Sequence, residues 1–174
     1  MPDQVPVYIS IGSNIDRERY VVAALDALVG WFGELDISPV YESEAVGFDG
    51  SPFLNLVVGV KTNLSVGELS QHFKQLEAEN GRRKEAPKFS ARTLDLDILT
   101  YGEAVGRLDG VELPRAEILK NAFVLRPLAD VAPAVKHPVC RKTYRELWQM
   151  YNTDQKLWPV NFSWQGRVIS EAVC

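Results

Sequence analysis

The sequence predicts an α+β domain, a mixed or antiparallel sheet with helices packed on it, and three observations lead there. Apolar residues alternate singly in some stretches and recur at three- and four-residue spacing in others. The two kinds of stretch interleave along the chain. Several links between strand-like stretches are too short to hold the crossover helix that a parallel pair needs. With 174 residues, 46% of them hydrophobic, the chain can bury one core without metal or disulfide staples.

Val5, Val7, Ile9 and Ile11 alternate and stop at Gly12-Ser13-Asn14, a strand entering a turn. A helix follows, with Val21, Ala24, Leu25, Leu28 and Phe32 as its apolar stripe and Gly33 as its stop. Residues 37–41 read as a second strand. The stretch 42–52 has no periodicity and holds Gly47, Gly50 and Pro52, so it reads as a surface loop. Leu54, Leu56, Val58 and Val60 alternate as a third strand. Ser65 and Glu68 have the spacing of a capping box before the stripe Val66, Leu69, Phe73 and Leu76, and Gly81 suits the end of that helix.

Residues 82–92 form a basic loop, with Arg82, Arg83, Lys84, Lys88 and Arg92 against the single acid Glu85. Residues 94–101 are strand-like, 114–123 short and irregular or helical, and 124–131 apolar and broken by Pro127. A last helix is predicted over 145–151. The domain is expected to occupy 1–152, and 153–174 to form a C-terminal extension whose Trp158, Phe162 and Trp164 pack back on it.

Net charge is −4, too little positive potential for a broad grip on nucleic acid or an anionic membrane. The two cysteines, Cys140 and Cys174, argue against a disulfide framework and against zinc. The first residues lack a charged, then apolar leader, and no stretch reaches bilayer-spanning length. A cytoplasmic monomer acting on small molecules is the expectation.

The run RTLDLDIL at 92–99 is the most informative. On a strand, Asp95 and Asp97 share one face while Leu94, Leu96 and Ile98 take the other. Their Cα atoms would lie roughly 6.6 Å apart. Carboxylate oxygens so placed can converge on hard cations such as magnesium, which keeps water and substrate phosphates in its remaining positions. The same pair also reads as the solvated side of an amphipathic strand. Aspartate is a poor strand former, however, and five cations stand just upstream, where they could meet phosphate oxygens.

This run resembles the signature of the 6-hydroxymethyl-7,8-dihydropterin pyrophosphokinase family of folate biosynthesis. The resemblance extends to YISIGSN at 8–14, FLN at 53–55, LEAENGR at 76–82 and FVLRPLADVAP at 123–133, in the family's order. It implies a ferredoxin-like fold and transfer of pyrophosphate from ATP to the hydroxymethyl group of the pterin, releasing AMP. A non-catalytic nucleotide- or pterin-binding paralogue is the alternative. RNA binding, also known on sheets of this kind, conflicts with the paired acids.

The resemblance further implies that Asp95 and Asp97 hold two magnesium ions. Arg82, Lys84, Arg92 and Asp97 would serve catalysis. Glu77, Lys88, Arg92, Ile98, Arg115 and Lys120 would contact the nucleotide. Ser43, Val46, Phe53, Asn55, Phe89, Asp95 and Phe123 would line the pterin pocket, with aromatic rings stacking on the heterocycle and Asn55 pairing with its amide edge. Several positions depart from the family's pattern, among them Phe89, Lys84 and Lys88 in place of more typical Trp and Arg residues. Pro114-Arg115 stands where the family has Pro-His, and Asn121, beside Lys120, stands at an arginine position.

Overall fold

The computed structural model describes residues 4–44, 52–81, 94–152 and 155–172. The chain opens with β1 (Val5–Ser13), α1 (Arg17–Phe32), β2 (Asp36–Ile37), β3 (Tyr41–Ser43), β4 (Phe53–Thr62), α2 (Val66–Glu79) and β5 (Asp95–Tyr101). A hairpin of β6 (Gly106–Leu108) and β7 (Val111–Leu113), then α3 (Glu117–Lys120), α4 (Ala122–Val131) and α5 (Tyr144–Met150), follow. Three short strands end it: β8 (Leu157–Pro159), β9 (Phe162–Trp164) and β10 (Arg167–Ser170).

Among the described residues six strands form one sheet in the order β5-β1-β4-β3-β8, with β2 also on β4. These pairings are antiparallel, so of the two expected forms of sheet the antiparallel one is realised. Alternation then sorts the side chains. One face presents Val7, Ile9, Ile11, Leu54, Leu56, Val58, Val60, Leu94, Leu96 and Ile98, which bury against Val21, Leu25 and Leu28 of α1 and Leu69, Phe73 and Leu76 of α2. The opposite face puts Tyr8, Val57 and Leu99 under Val124, Leu125 and Leu128 of α4 and Tyr144 of α5. β5 has a register shift against Tyr8/Ile9 of β1, consistent with an extra residue at Leu99.

α2 is capped as the sequence indicates. Ser65 Oγ accepts from Glu68 N–H at 3.1 Å while Glu68 Oε1 accepts from Ser65 N–H at 2.9 Å. α5 has the same box from Thr143 and Glu146. Where the sequence reads a single strand over 37–41, β2 and β3 are separate. Pro39 has no N–H to give a ladder, and Ser38 Oγ accepts from Val57 N–H at 2.9 Å instead.

The break expected at Pro127 does not occur, and α4 runs through it. The hydrogen bond that proline cannot make to Phe123 is offset by burial of Val124, Leu125, Pro127 and Leu128 along one side. Asp109-Gly110 turns the β6–β7 hairpin with both residues at positive φ. Asp109 Oδ2 accepts from Gly67 N–H at 2.8 Å, tying the hairpin to the start of α2.

The C-terminal segment packs against the sheet and the core. β8 extends the sheet beyond β3, and Phe162 and Trp164 are buried in the core beneath the helices. Trp164 Nε1 donates to Asp26 Oδ1 at 2.9 Å, and Val40 N–H donates to Ser170 Oγ at 2.8 Å. Trp158 stays partly exposed. Among the described residues no helix is long and apolar enough to cross a membrane.

Candidate active site

The α4–α5 layer covers the Tyr8, Val57 and Leu99 end of its sheet face. Beyond that end the registers define a row across four strands, β5, β1, β4 and β3. Asp95 pairs with Gly12, Gly12 with Asn55, and Asn55 with Tyr41. Two residues further along each strand, on the same face, Asp97 sits beside Ser10 and Ser10 beside Val57. Asp95 and Asp97 are half-buried on this face, while Leu94, Leu96 and Ile98 are buried on the other.

Gly12 forms the floor of the row. A Cβ there would stand 3.3 Å from Asn55 Oδ1 and 3.8 Å from Phe53 Cδ1, so hydrogen leaves open space between the acid and the amide. Adjacent strands are about 4.8 Å apart, which separates the Asp95 and Asn55 backbones by roughly 10 Å. Asn55 is buried and its Nδ2 donates to the buried Ser43 Oγ at 2.7 Å, which fixes the amide with Oδ1 toward Gly12. Phe53 is half-buried on the same strand face, and Phe123 is half-buried at the first turn of α4 against the second core.

At the β3 end of the row, Tyr41 donates to Asp130, and Arg126 Nε donates to Tyr41 Oη at 3.1 Å while its guanidinium lies over the Tyr41 and Trp148 rings. This network locks β3 to α4. Burial, reinforced by the Asp130 carboxylate, pushes the Tyr41 phenol up to about 12, so it stays a donor at neutral pH.

Glu77 is only 8% exposed, and its Oε2 accepts from Leu96 N–H at 2.9 Å. It braces the outer edge of β5 between the two acids. With Leu96 N–H turned to that edge, the two-residue period turns Ile98 N–H the same way. The Ile98 side chain fills the core, so its main chain is what a ligand at this edge would meet.

Arg115 comes to Asp97. Its Nη2 lies 3.2 Å from Asp97 Oδ1 and its Nε 3.4 Å from Glu117 Oε2. Arg115 N–H donates to Leu99 O at 2.9 Å, fixing the backbone alongside β5. Lys120 ends α3 exposed, held through its carbonyl, which accepts from Tyr151 Oη at 2.5 Å. Val46, Arg82, Lys84, Lys88, Phe89 and Arg92 lie outside the described residues.

Two residues of this site carry no functional reading in the sequence, Gly12 and Tyr41. Gly12 reads there as a turn residue, and only the registers place it between an acid and an amide. Two surface depressions share Gln4, Phe32 and Lys61 at the opposite end of β1 and include none of these site residues.

The sequence and the fold resemble those of known proteins. A family model for 7,8-dihydro-6-hydroxymethylpterin-pyrophosphokinase matches residues 8–133. The chain belongs to that family. Among its relatives, the 2-amino-4-hydroxy-6-hydroxymethyldihydropteridine pyrophosphokinase of Aquifex aeolicus is 39% identical over 142 residues, 80% of this chain and 88% of the relative. The Pseudomonas aeruginosa protein of the same name is 38% identical over 76% of this chain and 83% of its own. The fold is shared with the Plasmodium falciparum HPPK-DHPS crystal structure, at TM-score 0.68 and 15% identity over 97% of this chain. The chain spans about half of that longer protein. The matched family segment includes the whole Asp95, Gly12, Asn55 row.

Proposed function

We propose that this chain transfers the pyrophosphoryl group of ATP to 6-hydroxymethyl-7,8-dihydropterin, releasing AMP, as a step of folate biosynthesis. It is an ATP-dependent diphosphotransferase. The observation that carries this reading is the row in which Asp95 and Asp97 stand across Gly12 from the Asn55–Ser43 pair, on a sheet face that α4 and α5 leave partly uncovered.

The pterin lies on the Gly12 floor. Asn55 Oδ1 accepts from the ring's amide or amino edge, and Phe53 and Phe123 flank the ring. Ser43 holds the amide in the orientation that reads this edge. Val46 and Phe89 complete the pocket, and Arg82, Lys84, Lys88 and Arg92 attend the phosphates. Arg115, Lys120 and the main chain of Ile98 contact the nucleotide, and Glu77 keeps the edge of β5 straight for it.

Asp95 and Asp97 supply hard oxygen donors on one face of a rigid strand, a set that suits magnesium. An ion held by this pair would be completed by water and substrate phosphate oxygens. When bound, two such ions polarise the phosphates and lower the cost of charge on the departing AMP. The pterin hydroxyl passes its proton to the Asp97 carboxylate, its oxygen forms a bond to the β-phosphorus, and the α–β bridging bond breaks with its electrons leaving on AMP. Positioning by the Asn55 row contributes by holding the two substrates in line.

The sheet order with β1-α1-β3-β4-α2-β5 connectivity is the basis for assigning a ferredoxin-like core. Residues 1–152 carry the activity, and the extension from 153 stabilises them. The enzyme is proposed to act as a cytoplasmic monomer. The test is chromatography of a mixture of the protein, ATP, magnesium chloride and 6-hydroxymethyl-7,8-dihydropterin. AMP and pterin diphosphate should form in equal amounts, and EDTA should stop both. Nucleotide binding without AMP formation by folded protein would replace this reading with that of a binding protein.

A further inference from the structure

Arg115 reaches the acidic pair from the segment before α3, and its position has a consequence for the order in which charges assemble. Its guanidinium lies 3.2 Å from Asp97 and 3.4 Å from Glu117, with its backbone hydrogen-bonded to Leu99 beside the same strand. A permanently charged group therefore occupies an oxygen of the carboxylate that a divalent cation would use. The two side chains are 32% and 43% exposed, so the pair is screened and weak enough to exchange.

We propose that Arg115 is a placeholder cation, which neutralises Asp97 in the nucleotide-free enzyme and moves to the incoming phosphates as metal takes the carboxylate. This rests on the reading of Asp95 and Asp97 as the metal site. A cation arriving alone competes with the guanidinium for the Asp97 carboxylate, and a displaced guanidinium keeps Glu117 as a carboxylate partner. A cation arriving with nucleotide brings the guanidinium a new anion, and planar guanidinium suits phosphate. Arg115 thus couples the two ligands, and the coupling is reciprocal. Metal alone binds weakly, while metal with nucleotide binds well.

The opposed signs make this testable. Manganese affinity without nucleotide would be measured by electron paramagnetic resonance for wild type, Arg115→Met, Arg115→Lys and Asp97→Asn, all checked for folding by circular dichroism. Calorimetry with α,β-methylene-ATP would follow on the same samples. Arg115→Met should bind manganese about three- to fivefold more tightly, the scale of one exposed ion pair, yet bind the nucleotide analogue more weakly. Arg115→Lys should lie between Met and wild type in both. A residue that only supports the fold would weaken both ligands together. Manganese affinity of Arg115→Met within twofold of wild type, or below it, overturns the placeholder role. If Asp97→Asn loses manganese in that case, the metal site itself stands. If Asp97→Asn binds manganese like wild type, the metal reading and this inference both fall.

Discussion

The two faces of the sheet are built from the same strands and carry opposite chemistry. Under α1 and α2 the inward residues of β1, β4 and β5 are Val, Ile and Leu, and with Leu94 they are closed off by helix side chains. On the reverse, the same strands give Gly12, Asn55, Asp95 and Asp97 once the Tyr8, Val57 and Leu99 patch under α4 and α5 ends. The difference teaches that one alternation serves both purposes. A residue and its neighbour in sequence can belong to the core and to the site, and substitutions one position apart should fail in different ways.

The largest effect should come from the sealed face. Leu56→Ala removes a fully buried side chain and should cost about 2–5 kcal/mol by denaturant titration, with turnover per folded molecule unchanged. Loss of turnover at full stability would break the division between faces.

Gly12→Ala sharpens the division from the other side. Its new methyl meets Asn55 Oδ1 at 3.3 Å, so stability should fall by about 1 kcal/mol. The KM for pterin should rise by about tenfold with KM for ATP little changed, a difference of roughly 1.4 kcal/mol.

A smaller effect concerns the polar residues that serve only the fold. Ser65→Ala removes the capping oxygen of α2 and should lower stability by about 1 kcal/mol or less without altering either KM.

His137 gives the gentlest test. It is buried beside Tyr144, and its Nδ1 accepts from Val139 and Cys140 N–H at 3.2 and 3.1 Å. Burial lowers its pKa below the usual 6.5, so the unfolded chain takes up the proton first as pH falls. Its contribution is full above about pH 6.5 and is lost as pH drops through the depressed folded value. His137→Asn, which keeps an acceptor but cannot titrate, should flatten that part of the stability profile.

Much of this was legible in the chain because period two is a local property. The shared face of Asp95 and Asp97, the buried amide at Asn55 and the Ser65–Glu68 box all follow from spacing. The Asp109-Gly110 pair is also a local hairpin signal, since both residues take the positive φ that such a turn needs. What was not legible depends on which strands meet. Gly12 becomes a floor only through its two registers, Glu77 becomes a brace only because β5 is an edge strand, and Arg115 finds Asp97 only through the segment before α3. Pro127 misled because a local rule about helix interiors was outweighed by burial that only the tertiary structure supplies.

The account stands most directly on Asp97→Asn, assayed for AMP formation and for thermal melting on the same preparation. The predicted result is a loss of turnover of about 10²–10³-fold, with a melting temperature within a few degrees of wild type because the ion pair with Arg115 is partly open to solvent. Turnover within threefold of wild type in the folded variant would contradict it.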